Sequence, residues 1–535
     1  MSDASKTNSR EPADALQRRD FLKAAGAGAG LLLLGGTDAS GEPAALVAPN
    51  RSAAIQPKGP SPDIVVIGAG IWGSFTAYHL RRMGAKVTLV DAYGPGNARS
   101  TSGDETRGVR SSYGDRPGKL GELWMLWARE SMKRWIAFDD EWGHDLRLNL
   151  FHVTGDLILR DDWDNFQLRC KLWWDHNKIP YSILKPDDVR KSFPVISVDD
   201  ITAIIYEPDA GVVRARRSVQ AVAAAFEKLG GTIVIGRATP SKVVNGKLEE
   251  ISLDTGATLR ADTFVYAVGP WLGKTFPELF AKKTRVPMGY VCYFATPVGD
   301  HRFTYPNLPS FNFPGVTGWP ALPVDNRGFR VRGSERAPTP AQTVAAADST
   351  KKQQANANAP AVDSGSNLAN ANGANSSGAA TNGASGSGPN AGAARQSGQA
   401  QQQDVPPQQQ DPDTSDRWAN QERIDGSRRF VAHRFPLLKD APIAQTHACH
   451  YESTSSGNFV IDKHPQMSNV WIAAGGNAEG FKFGPKIGDY VAQRVMGAWQ
   501  DETVNKVFII PEKEYDPPKP ATPADSAKGV RRPPG

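Results

Sequence analysis

The sequence predicts an α/β fold of two domains, a parallel sheet flanked by helices and a second, mixed or antiparallel sheet interrupting it. Three observations point there. A strand, a glycine-rich turn and a helix open the foldable region near residue 63, the same rhythm of helix and buried strand returns over 218–268, and the region between does not share it.

Taken in order, the β-branched run Ile64-Val65-Val66-Ile67 is followed by Gly68-Ala69-Gly70-Ile71-Trp72-Gly73 and an amphipathic stretch to Met83. After Gly84-Ala85, a second apolar run, Lys86-Val87-Thr88-Leu89-Val90, ends on Asp91 and completes a βαβ unit. Residues 218–229 read as a helix with Val219, Val222 and Phe226 on its apolar side, closed by Gly230-Gly231 and followed by a strand over 232–235. A hairpin is expected around Asn245-Gly246, and an apolar strand over 263–268 runs into Gly269-Pro270-Trp271.

The flanks and one internal stretch read differently. Arg18-Arg19-Asp20-Phe21-Leu22-Lys23 precedes an apolar run of 13 residues, the pattern of a twin-arginine export signal. That run falls short of the roughly 20 residues a membrane-spanning helix needs. The reading is therefore a signal and linker over 1–60, a periplasmic or otherwise exported protein, the twin-arginine machinery as a partner, and no stable membrane span. Residues 337–410 consist mainly of Ala, Asn, Gly, Ser, Gln and Pro without an aromatic residue, so they bury too little apolar surface to offset their ordering entropy and predict a disordered insertion. The Pro- and Lys-rich end, 511–535, predicts a flexible tail.

Composition narrows the function. The chain has 535 residues, but the low-complexity segments bring the folded part nearer to about 400, enough for about two domains. Its 62 basic and 56 acidic residues are interspersed, without the basic and aromatic repeats of a nucleic-acid groove. Cys170, Cys292 and Cys449 are too far apart in sequence for a zinc knuckle or a C-x-x-C redox pair, and no metal is signalled.

Gly68, Gly70 and Gly73 with Asp91, 23 residues beyond Gly68, form a dinucleotide-binding fingerprint. Two glycines let the backbone turn against a pyrophosphate, the third lets helix and strand pack closely, and the acid meets ribose hydroxyls. The fingerprint alone leaves FAD and a nicotinamide cofactor open. The turn at Gly269 after an apolar strand looks like the second nucleotide contact of flavoproteins and favours FAD.

From these motifs the chain resembles the monomeric sarcosine oxidase branch of the glycine and D-amino-acid oxidase flavoproteins. The resemblance covers most of 62–500 apart from the insertion. Besides the dinucleotide turn, it is carried by Gly103-Asp104-Glu105-Thr106-Arg107-Gly108-Val109-Arg110 with Tyr113-Gly114, by Glu207-Pro208-Asp209-Ala210-Gly211-Val212, and by a block from Cys449-His450-Tyr451 to Gly480-Phe481-Lys482-Phe483. It implies a Rossmann-like FAD-binding domain from 61–150, 205–285 and 440–505, and a substrate domain of mixed or antiparallel sheet from 151–204, 286–336 and 411–439. It also implies oxidation of the C–N bond of an amino acid or N-substituted amino acid, with hydride passing to flavin N5 and water hydrolysing the imine.

Carried over by position, Arg110 and Lys482 clamp a substrate carboxylate, Arg107 lies by the flavin ring, Tyr451 lines the substrate pocket, Gly480 belongs to the cofactor site, and Cys449 joins the flavin covalently. His450 should point away from Cys449, since strand neighbours face opposite sides. Two departures bear on electron transfer. Gly328-Phe329-Arg330-Val331-Arg332-Gly333 places Arg330 where relatives carry an oxygen-activating lysine, and Ser334 and Gly103 or Asp104 stand where histidines are expected. A planar guanidinium is a poor substitute for an ammonium and its water. The acceptor is therefore oxygen or, alternatively, a quinone or periplasmic carrier. A flavin-bearing binding protein and a nicotinamide-dependent dehydrogenase are the other readings.

Overall fold

The computed structural model describes residues 61–323, 327–335 and 410–516. The expected export signal and linker at 1–60, the insertion at 337–409 and the tail beyond 516 lie outside the described residues.

The β-branched run forms the strand Asp63–Ile67, at the centre of a six-stranded sheet. Across that sheet the strands run Val460–His464, Met467–Ala474, Thr263–Tyr266, Asp63–Ile67, Lys86–Asp91 and Thr232–Ile235. All neighbours are parallel except the first pair. Helix Ile71–Arg82 packs between helices Gly484–Val495 and Ala215–Lys228. Its contact with Gly484–Val495 is close because of missing side chains: a Cβ on Gly484 would lie 2.4 Å from Ile71, and one on Gly488 2.3 Å from Phe75. The helix expected over 218–229 starts three residues earlier, at Ala215, and the strand expected to reach 268 stops at Tyr266. Asn245 and Gly246, at φ +48° and +70°, make the expected hairpin between Ala238–Val244 and Lys247–Leu253.

The second sheet has eight strands, ordered Ile443–His450, Met288–Phe294, Phe329–Arg332, Val316–Trp319, Ser310–Phe313, Asp156–Arg160, Ala203–Glu207 and Ser182–Leu184. Its one parallel pair, Ser310–Phe313 with Asp156–Arg160, makes it a mixed sheet, as expected. Phe311, Phe329, Phe430 and Phe435 fill the core between it and helix Gln421–Arg434.

Four boundaries are corrected. Ala203–Glu207 and Ile443–His450 are strands of the eight-stranded sheet, although the expected divisions at 205 and 440 cut the first and assigned the second to the FAD-binding domain. Ala203–Glu207 is a buried apolar run, which shows that a strand exists without showing which sheet it joins, and the largely polar Ile443–His450 carries even less of that information. Gln410 and the start of the tail are also docked. Gln410 N donates to Val286 O, and Tyr515 N donates to Lys282 O at 2.8 Å while Arg285 lies 4.2 Å over the Tyr515 ring. The aromatic contact acts together with hydrogen bonds, among them Arg285 Nη2 to Asp516 O at 2.7 Å and Ser453 Oγ with Tyr515 Oη at 2.9 Å, to hold the start of the tail within otherwise polar text. Among the described residues, no helix is long and apolar enough to cross a membrane.

Candidate active site

One elongated cavity of about 340 Å³ runs from the glycine turn to the open face of the eight-stranded sheet. Its two ends are built from different materials.

At the first end the wall is backbone. Gly68 has φ +102°, and a Cβ there would lie 2.3 Å from Ala267 O; a Cβ on Gly73 would lie 1.8 Å from Gly68 O. These two glycines bring the turn against its neighbours. Gly70 does something else, because a Cβ there would meet only Ser102 Oγ, at 3.5 Å, and so project into the cavity. Ile71 N at the helix start donates to Ser102 Oγ at 3.1 Å. Asp91 Oδ2 accepts from Ala69 N at 2.7 Å, and Oδ1 from Tyr93 N at 2.8 Å and Gly94 N at 2.9 Å. Burial still raises the Asp91 pKa above the usual carboxylate value. Oδ1 also accepts from Asn97 Nδ2 at 3.4 Å and has no site left, whereas Oδ2 retains a further acceptor site, and Asp91 lines the cavity. Gly269, at φ +53°, borders the same end with open space where its Cβ would be. Lys274, Trp271 and Arg237 are pinned there by Asp413, which accepts from them at 2.7, 2.9 and 2.9 Å.

At the other end the wall is charged side chains. Arg110 is 5% exposed and Lys482 7%. Arg110 follows the strand Thr106–Val109, and Lys482 sits in the single turn Gly480–Phe483 that precedes helix Gly484–Val495. Lys482 Nζ lies 3.9 Å from Glu479 Oε2 and 4.9 Å from the centre of the Tyr113 ring. Burial, with the nearby guanidinium of Arg110, brings Lys482 down to about 8 despite Glu479. Behind them the fully buried Asp156 has both carboxylate oxygens without a hydrogen bond, and burial lifts it to about 6 against the pull of Arg110 and Lys482.

Arg107 and Arg330 are both held by the buried Asp104. Arg107 Nη1 pairs with Asp104 Oδ2, and Arg330 Nη2 donates to the same oxygen at 2.9 Å. The Arg330 guanidinium lies 4.0 Å over the Trp319 ring. Arg107 Nη2 also donates to Thr101 O at 3.0 Å and reaches Cys449 Sγ at 3.5 Å. Burial pushes the Cys449 thiol up, but Arg107, a hydrogen bond from His447 and Arg332 together bring it down to about 6. Cys449 and Tyr451 both line the cavity, while the fully buried His450 does not. Cys170 and Cys292 are buried free thiols elsewhere.

A family model described as FAD dependent oxidoreductase matches residues 63–494. The chain belongs to that family. It is 23% identical over 443 residues to monomeric sarcosine oxidase of Bacillus sp. (strain B-0618), covering 81% of this chain and 92% of the relative. It is 24% identical over 474 residues to L-saccharopine oxidase of Schizosaccharomyces pombe, covering 83% and 92%. Among solved structures, the fructosamine oxidase Amadoriase II of Aspergillus fumigatus aligns with a TM-score of 0.60 at 18% identity, covering 84% of this chain and 89% of that one.

The cavity of this FAD-dependent oxidoreductase fits its family's cofactor. The Gly70 opening and the helix start suit a pyrophosphate, and Asp91 suits a ribose. Arg330 Nε and Nη1 are buried without partners at the other end, donors suited to ring acceptors. Gly480 has a packing reason instead: its Cβ would lie 2.8 Å from Trp72, whose indole nitrogen donates to Gly480 O at 2.8 Å. All five side chains expected to act at the flavin or the substrate, Arg107, Arg110, Arg330, Tyr451 and Lys482, do line the cavity. Sequence reasoning missed Arg332, Glu479 and Trp319, and it met Asp104 only as a replaced histidine. The alternation Arg330-Val331-Arg332 on a strand was the available signal for Arg332, since residues two apart share a face. Asp104, Glu479 and Trp319 have no comparable local pattern.

Proposed function

We propose that this enzyme oxidises the C–N bond of a carboxylate-bearing amine, an amino acid or N-substituted amino acid, the chemistry shared by the names of its sarcosine and saccharopine oxidase relatives. The observation that carries this is the presence of buried Arg110 and Lys482 in one cavity with the dinucleotide turn. Bound FAD supplies a two-electron acceptor. The protein's own part is to hold the substrate. Arg110 offers a planar fork and Lys482 a compact second charge, a pair matched to one carboxylate. With a pKa of about 8, Lys482 is mostly protonated at neutral pH, and an arriving carboxylate reinforces that state. Tyr451 and Trp319 wall the cavity and limit water around the reacting carbon. Arg107 is placed to offset negative charge that develops beside Cys449.

In the finer reading, FAD is attached through Cys449, whose lowered thiol pKa favours the nucleophilic thiolate. Acid denaturation tests this: yellow colour should precipitate with the wild-type chain and not with Cys449→Ser, and release from both would sink the attachment. Amine turnover is tested separately, by anaerobic flavin bleaching. If no carboxylate-bearing amine bleaches the flavin, the proposed function fails.

For the electron acceptor, oxygen remains the reading, as in the named oxidases. The clamping of Arg330 by Asp104 and Trp319 favours a second reading, a dehydrogenase serving a quinone or soluble carrier. Slow reoxidation of the reduced enzyme in air, with fast reoxidation by a quinone, would select it. Export through the twin-arginine route is proposed from Arg18-Arg19. Replacing both with lysine should retain the protein in the cytoplasm, and unchanged location would refute export by that route.

A further inference from the structure

Arg330 and Arg332 lie two residues apart on the strand Phe329–Arg332, face the same cavity, and are held in opposite ways. Arg330 is 1% exposed, donates to Asp104 and stacks on Trp319, which is itself anchored by a hydrogen bond from Nε1 to Thr106 Oγ1 at 2.9 Å. Arg332 stands opposite Val291 and Thr317, both cavity residues, and among the described residues no hydrogen bond or ion pair fixes its guanidinium. Its electrostatic neighbours include Tyr451, Cys449 and Glu479, with Arg330 opposing, and Lys482 feels its charge in turn. These neighbours put it at the carboxylate end of the cavity.

Asp104 and Glu479, two acids of this region, form ion pairs with cations other than Arg332. Asp104 is shared by Arg107 and Arg330, and Glu479 pairs with Lys482 and faces Arg110. One substrate carboxylate between Arg110 and Lys482 leaves Arg332 as a partly buried cation with five unanswered donors, an arrangement that costs free energy until an anion arrives. We propose that Arg332 receives a second carboxylate, so that the substrate is an amine bearing two carboxylates, such as an amino acid whose nitrogen carries a carboxyalkyl group. This rests on the reading that Arg110 and Lys482 hold the first carboxylate. Arg332 is then a specificity residue, in which a planar fork recognises a planar acid.

Thiodiacetate and methylthioacetate, thioethers that differ by one carboxylate and have no oxidisable amine, separate the two claims. Each is titrated into the oxidised holoenzyme while the flavin absorbance is followed. Wild type should bind thiodiacetate about 30-fold more tightly, the scale of one charge-assisted pair. Arg332→Gln should bring thiodiacetate to the methylthioacetate level and leave methylthioacetate within about 3-fold, and Arg332→Lys should recover part of the difference. Equal wild-type affinities, or an equal loss for both thioethers in Arg332→Gln, would overturn the role of Arg332 while leaving the first carboxylate site intact. Failure of both to bind wild type would overturn the Arg110 and Lys482 reading and this inference with it.

Discussion

In the proposed reading both ends of the cavity hold an anion, and they are built for it from different materials. At the dinucleotide end the groups are backbone, and the critical side chains are absent ones: Gly68, Gly70 and Gly73 sit within six consecutive residues. At the substrate end they are long cationic side chains gathered from distant segments, Arg107 and Arg110 from one, Arg330 and Arg332 from a second, and Lys482 from a third, with Asp104 and Glu479 as counter-charges. The first end should therefore respond to added atoms, and the second to removed charge.

The largest expected effect is at the backbone end. Gly73→Ala places a Cβ 1.8 Å from Gly68 O, a clash that neither rigid element relieves, and the purified protein should lack FAD or fail to fold. Gly256→Ala, in an exposed turn outside the cavity, is the control. Its Cβ meets nothing within 4 Å, so it should keep its flavin and lose only about 1 kcal/mol from the strained φ of +86°. If both variants retain flavin equally, the close approach at Gly73 is not needed for binding.

Next in size is the loss of a cation. Lys482→Met should keep the flavin and lower kcat/KM for a carboxylate-bearing amine by about 10²- to 10³-fold, as expected when one partner of a buried charge pair is truncated. A loss confined to flavin content would move Lys482 out of the substrate site.

These two predictions mirror what was legible in the sequence. The glycine end was readable because its spacing is local, although only Gly73 meets a neighbour within the motif, while Gly68 abuts Ala267 and Gly70 opens into the cavity. The substrate end was readable only as far as family resemblance carried Arg107, Arg110, Arg330, Tyr451 and Lys482, and its counter-charges were not. The pairing of Asp104 with Arg330 spans 226 residues, a distance no local pattern encodes. The sheet to which Ile443–His450 belongs was missed for the same reason, because register is a property of the partner strand.

Smaller effects sharpen the electrostatic half of the comparison. Lys482 has a pKa of about 8 before substrate arrives, so above that pH the free enzyme loses its charge and substrate binding must take up a proton. KM for carboxylate-bearing amines should rise as pH goes from 7 to 9.5, and Lys482→Arg should remove that dependence. A flat wild-type profile would contradict the assignment.

The smallest effect concerns the buried acid behind the clamp. The folded pKa of Asp156, about 6, lies above its unfolded value of 3.8. The native state therefore binds more protons across that window, and stability is lost as pH rises through it. Asp156→Asn removes this loss, so its Tm relative to wild type should be a few degrees higher at pH 8 than at pH 4.5. The same difference at both pH values would mean that Asp156 is ionised without penalty.

Whether the end of the cavity lined by Arg110 and Lys482 reads a carboxylate is decided by one pair of compounds. An amine that bleaches the flavin anaerobically is compared with its methyl ester, which keeps the reacting C–N bond and removes the negative charge. The ester should bleach the wild-type flavin at least about 100-fold less efficiently, and Lys482→Met should erase most of that difference. Equal bleaching by acid and ester in the wild type would contradict carboxylate recognition there.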